Sequence, residues 1–76
     1  MATLLERFGD RIRELRHQRR LSQEALAERA GLHRTYIGFV ERAERNPTLK
    51  TMEKLARGLE VSLAELFAPF TEKPGS

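Results

Sequence analysis

The stretch Leu21-Ser22-Gln23-Glu24-Ala25-Leu26-Ala27-Glu28-Arg29-Ala30-Gly31-Leu32-His33-Arg34-Thr35-Tyr36-Ile37-Gly38-Phe39-Val40-Glu41-Arg42 decides the fold. Ser22 is a good N-cap, and Glu24 follows in the first turn, where the helix dipole favours an anion. Leu26, Ala27 and Ala30 supply an apolar side, and Gly31 ends the helix by admitting a left-handed backbone. That makes it very short, about nine residues. A second short helix should run from about Arg34 to Arg42. Two such helices joined by a tight glycine turn serve either as core packing or as a helix-turn-helix reader. The spacing favours the reader: counted from Gln23, Ala27 is four residues on, Gly31 eight, Ile37 fourteen and Val40 seventeen. Ala27 leaves room for the helices to approach, while Ile37 and Val40 pin the second helix to the core. At about 100° per residue, that anchoring turns Thr35, Gly38, Phe39 and Arg42 outward, with Arg34 and Tyr36 on the flanks. A face of Arg, Thr, Gly and an exposed Phe suits contact with base edges better than mere solubility.

Helical signals continue on both sides. Leu5, Phe8, Ile12 and Leu15 form a stripe in a first helix, with Arg11, Arg13, Arg16 and Arg19 largely off it and Gly9 a mild cost inside it. Asn46-Pro47-Thr48 breaks the chain, and Thr48 is a plausible N-cap for a fourth helix with Leu49, Met52, Leu55, Ala56 and Leu59 on one face. Ser62 and Glu65 fit a capping box that opens a fifth, with Leu63, Leu66 and Phe67 on its apolar side and Pro69 ending it near Ala68. No stretch alternates with period two, so the fold class is all-α. Residues 1–70 read as one unit and 71–76 as a flexible tail.

Composition bounds the function. Seventy-six residues hold one small domain, without room for a separate sensor or a typical enzyme scaffold. There is no cysteine for a disulfide or thiolate site, and two histidines alone make no zinc site, so no metal and no cofactor are expected. No carboxylate–histidine constellation or glycine-rich phosphate loop speaks for an enzyme. No apolar run approaches the ~18 residues of a membrane span, and Glu6, Arg7 and Asp10 interrupt any secretory segment, so the expected address is cytoplasmic. The net charge is +3 and the pI about 10.0, a footprint shared by many nucleic-acid binders. Residues 1–20 carry six arginines against three acids, whereas the remainder is balanced at eight against eight.

The run Leu21–Ala27, then Ala30-Gly31-Leu32, Tyr36-Ile37, Glu41-Arg42, Asn46-Pro47 and Leu49 resembles the Cro/phage-repressor (Xre-type) helix-turn-helix family over about residues 7–68. Within it, His33–Ile37, Glu41-Arg42 with Arg45-Asn46, and Gly58–Ser62 look most like the controller proteins of restriction–modification systems. The resemblance implies a compact five-helix, lambda-repressor-like bundle, with helices two and three as the helix-turn-helix and the third in the major groove. It implies a homodimer on a palindromic double-stranded DNA operator, with half-sites about one helical turn apart. It also implies transcriptional regulation; a chain this short holds no effector domain, so no small-molecule effector is expected.

Carried over by residue, Arg34, Thr35 and Phe39 take base-contact positions: arginine for guanine O6 and N7, threonine and phenylalanine for thymine methyls. Gln23, Tyr36, Arg45, Asn46 and Lys50 take backbone positions, and Arg16 with Glu41 matches a structural pair tying the first helix to the end of the third. Two departures stand out. Ala43 replaces a common glycine two residues after that Glu, so the helix exit is either drawn differently or strained, and His33 replaces the usual Ser or Thr cap, leaving that cap weak or supplied by another group. Leu63, Leu66, Phe67 and Phe70 are more large apolar groups than one short helix should bury on its own bundle, and the family makes them a dimer interface. A different class of function, an antitoxin or adaptor that uses the same fold to bind a protein partner, would be marked by a co-purifying partner.

Overall fold

The computed structural model describes residues 2–71, so of the expected flexible tail all but Thr71 lies outside the described residues. Five helices follow in order: α1 (Leu4–Gln18), α2 (Gln23–Ala30), α3 (Arg34–Glu41), α4 (Leu49–Gly58) and α5 (Leu63–Leu66). No strand occurs among the described residues. The caps explain the starts. The Ser22, Thr48 and Ser62 hydroxyls accept from the N–H groups of Ala25, Thr51 and Glu65. At α1 a full capping box forms, which sequence reading missed: Thr3 accepts from Glu6 N–H, and the Glu6 carboxylate accepts from Thr3 N–H at 2.8 Å. The bond from the Thr3 N–H, with a smaller contribution from the Thr3 hydroxyl, holds the Glu6 carboxyl below its ordinary value.

The helix ends share one device. In α1, α3 and α4 the backbone turns left-handed at Arg20 (φ 55), Ala43 (φ 60) and Glu60 (φ 58), and α2 ends on Gly31 (φ 70). Each is followed by an N–H that closes back on a carbonyl in the last turn: Leu21 to Arg16, Leu32 to Ala27, Glu44 to Phe39 and Val61 to Ala56. This double-bonded Schellman ending favours glycine at its left-handed position. Only one of the four has it.

Phe8, Ile12, Leu15, Leu26, Ala27, Ile37, Val40, Leu55, Ala56, Leu59 and Leu66 form one buried cluster. A large aliphatic side chain taken fully out of water contributes about 1.5–3 kcal/mol, so these set the bundle. α2 packs on α3 and α4, α1 on α3, and α5 on α4. Two glycines are dictated by these approaches. A Cβ on Gly9 would lie 2.6 Å from the Val40 carbonyl oxygen and 2.7 Å from that of Glu41. The residue read as a mild cost is what lets α1 touch the end of α3. A Cβ on Gly58 would likewise fall 3.1 Å from atoms of Ala30 and Leu26.

Several expectations change here. α5 is a single turn and ends at Leu66, not near Ala68. Leu66 is fully buried, so it belongs to the monomer core and not to an interface. Phe67 stacks on Phe8 with ring centroids 5.7 Å apart, and Phe70 meets Phe67 edge-on. Both rings are half-buried within their own chain, because the chain beyond α5 folds back over α1, where the Arg7 guanidinium covers Phe70. Leu49, expected on the core face of α4, is 71% exposed. It is the first helical residue after the Thr48 cap and points away before the apolar stripe begins.

The arginine surplus of the first helix also finds its purpose in the bundle. Arg11 donates to the carbonyls of Leu66 and Glu65 at the end of α5, Arg13 to that of Glu41 at the end of α3, and Arg19 to that of Leu59 at the end of α4. Terminal carbonyls have no intrahelical partner and carry the negative end of the helix dipole. α1 thus clamps three helix C-termini with cations.

Candidate nucleic-acid interface

The third helix is held from one end. Glu41, its last residue, is buried, and its carboxylate accepts from Arg16 Nε at 2.7 Å and Nη2 at 3.0 Å. This is a two-pronged pair, the strongest geometry for arginine and carboxylate. Arg16 also donates to the Leu21 carbonyl, so the α1–α2 turn is tied to the same point. Gln23 Nε2 donates to Glu41 Oε1 at 3.1 Å, and Arg13 stands 3.6 Å from that oxygen. Burial alone would raise the Glu41 carboxyl. The bonds from Arg16 and Gln23, with the charges of Arg16 and Arg13, outweigh burial and hold it below its ordinary 4.5. Among the described residues no buried side-chain polar atom lacks a partner.

The other end is open. His33 caps α3 without any side-chain hydrogen bond. Arg34 and Thr35 in the first turn are exposed; the Arg34 side chain is 71% accessible, with only a loose 3.5 Å approach to Glu24. Tyr36 is half-buried against the core, and Ile37 and Val40 are fully buried. The helical phase therefore leaves Arg34 and Thr35 open to solvent at the start of α3. Gly38 departs from its expected outward place. It is buried, because the Arg42 side chain folds back over it.

Phe39 is half-buried and carries two cations, with the Arg42 and Arg45 guanidinium carbons 5.5 and 5.1 Å from its ring centre. Arg42 also donates to both carboxylate oxygens of Glu44, at 3.1 and 3.3 Å. Sequence reading placed Arg42 on the outward face but saw neither the ring nor the carboxylate that hold it. Asn46 is exposed and lines, with Leu4, Leu5, Phe8, Pro47, Met52 and Phe67, an apolar cleft of about 230 Å³. Lys50 borders a shallow groove shared with Leu49, Glu53 and Leu63. Of the four candidate interface residues, Leu63 is the one that faces solvent substantially, at 37%. Leu49 joins it, and sequence reading missed it because an apolar residue on a helical stripe reads as core.

Arg34, Thr35, Phe39 and Arg45 thus lie along one helix and its exit. Gln23 and Tyr36 are set deeper, and Leu49 and Leu63 share a separate groove.

The comparisons agree with this architecture. A helix-turn-helix family model matches residues 12–66. The control protein C.SmaI of Serratia marcescens is 52% identical over 61 residues, spanning 80% of this chain and 73% of that one. The control protein C.MunI of a Mycoplasma species is 41% identical over 63 residues, spanning 82% and 85%. The crystal structure of the restriction–modification controller protein C.AhdI from Aeromonas hydrophila superposes with a TM-score of 0.80 at 51% identity, over 83% of this chain and 96% of that one. With an anchored third helix, an open first turn and these relatives, the chain belongs to the helix-turn-helix family of DNA-binding transcriptional regulators and resembles, within it, the restriction–modification controllers.

Proposed function

We propose that the chain is a sequence-specific regulator that binds a palindromic operator as a homodimer and controls a restriction–modification locus. It acts by occupying DNA and not by catalysis, and its activity follows its own concentration. The observation that carries the reading is the contrast within α3, where a buried, ion-paired end fixes the helix and an exposed first turn offers Arg34 and Thr35. Arginine spans guanine O6 and N7, and threonine meets a thymine methyl or a base acceptor. Phe39 completes the base-contacting set, while Gln23, Tyr36, Arg45, Asn46 and Lys50 supply phosphate contacts. The Gln23 amide, already committed to Glu41 through one hydrogen, keeps a second for a phosphate oxygen. The apolar groove of Leu49 and Leu63 supports a dimer seam there, while Phe67 and Phe70 pack within their own chain.

The test is selection of bound sequences from random duplex DNA, run on wild type and on Arg34→Ala. The expected result is a palindrome with half-site centres ~34–36 Å apart. Arg34→Ala should relax one symmetric pair of positions, each worth about 1–3 kcal/mol of discrimination. Enrichment of no sequence by the wild type would overturn the reading.

A further inference from the structure

Arg42 occupies a seat with three walls. Gly38 leaves the helix surface bare beneath it: a Cβ there would fall 3.0 Å from Arg42 Nη1. The Phe39 ring flanks the guanidinium, and the Glu44 carboxylate takes both its Nε and Nη2 hydrogens. The seat depends on an ordinarily unfavourable choice, since glycine inside a helix costs stability that alanine would not. Glu44 is aimed by the Schellman ending, in which its own N–H closes on the Phe39 carbonyl at 2.8 Å. Arg45 stacks on the same ring, and no carboxylate pair is formed with it among the described ion pairs. Arg34, at the far end of α3, has only the loose Glu24 approach, without ring or bare helix face.

We propose that Glu44 is a specificity-determining residue: by holding Arg42 in the seat of Gly38 and Phe39, it withholds that cation from DNA phosphates and so lowers affinity for non-specific duplex. Non-specific binding consists almost wholly of phosphate contacts by lysine and arginine, each of which releases counterions. A guanidinium already satisfied by a carboxylate must give up that partner before it neutralises a phosphate. Arg45, stacked but not neutralised, carries no such handicap. The operator complex adds the groove contacts of Arg34, Thr35 and Phe39 to its phosphate contacts, so the restraint removes a smaller share of its affinity. The inference rests on the DNA-binding reading above.

A double-mutant cycle on a random-sequence duplex and on the selected operator tests it, using wild type, Glu44→Gln, Arg42→Ala and the double variant at several salt concentrations. Glu44→Gln should tighten random-duplex binding about two- to fivefold, the range an exposed ion pair supports. The log–log salt slope should steepen by about one unit, as for one added phosphate contact. The operator should gain less, and the gain should vanish in the Arg42→Ala background. Gly38→Ala, which leaves the charge unchanged but unseats the guanidinium, should shift random-duplex binding in the same direction.

A gain that persists without Arg42 would reduce Glu44 to a long-range charge and overturn the proposal. Weaker binding by Glu44→Gln, or an equal gain on the operator, would also overturn it. Wild type that binds no duplex even at low salt would instead overturn the DNA-binding reading itself.

Discussion

The two ends of α3 are built on opposite terms. At Glu41 a carboxylate is buried, accepts two bonds from Arg16 and one from Gln23, and lies where Gly9 lets α1 touch the backbone. Eight residues earlier, His33 caps nothing with its side chain, and Arg34 and Thr35 face water. A helix that reads a groove must be rigid in position yet expose side chains free to change partners. Dividing these demands between its ends satisfies both, and it places most of the energetic cost of error away from the exposed first turn.

The sharpest way to break the comparison is to cut the anchor. Arg16→Ala leaves the Glu41 carboxylate buried without its main partner, and urea unfolding should register a loss of about 3–5 kcal/mol. Arg34→Ala, at the open end, should stay within about 0.5 kcal/mol of wild type while losing base discrimination. Acid adds a signature. The Glu41 carboxyl is held below 4.5 in the folded chain, so its stabilisation is present above 4.5 and is lost as pH falls through the lowered value. The gap between wild type and Arg16→Ala should therefore be full at neutral pH and narrow below 4.5. A constant gap across that range would separate the loss from the ion pair.

A pair of glycines sharpens the same contrast. Gly9→Ala drives a methyl into the Val40 and Glu41 carbonyl oxygens, which belong to backbone and cannot swing aside. Overpacking of this kind costs about 1–3 kcal/mol, more than the roughly 0.5–1 kcal/mol that alanine gains over glycine inside a helix. Thermal unfolding should come earlier. Gly38→Ala meets only the end of the Arg42 side chain, a flexible obstacle, and should leave the melting temperature unchanged or raise it. Equal losses at both sites would mean that α3 is as tightly held at its middle as at its end.

What was legible in the sequence follows the range of the interactions. Caps and breaks are local, so Ser22, Gly31 and Thr48 marked their boundaries correctly, and the 3.6-residue stripe found Phe8, Ile12, Leu15, Ile37 and Val40. Motif resemblance added the Arg16–Glu41 pair, whose members lie 25 residues apart and carry no local signal. The misses were tertiary. Nothing local says that Gly9 faces another backbone, that α1 arginines bind helix ends, or that Leu66 turns inward while Leu49 turns out. The same holds for the seat of Arg42, whose parts share a short stretch but meet only through the geometry of the helix exit.

A small stabilising effect is expected at that exit. Ala43 holds φ 60, a left-handed backbone that disfavours any residue with a Cβ, yet its turn keeps both Schellman bonds, Ala43 N–H to Val40 and Glu44 N–H to Phe39. Relief of left-handed strain is worth about 1–2 kcal/mol, and the greater freedom of glycine in the unfolded chain removes roughly 0.5–1 kcal/mol of that. Ala43→Gly should therefore stabilise the fold by about 0.5–1 kcal/mol in urea unfolding. The gain should come without new contacts, since it only removes a strain the anchored end already tolerates. If Ala43→Gly instead lowered stability, the methyl would be packing usefully at the exit, and the boundary between the clamped and the open parts of α3 would have to be drawn beyond residue 43.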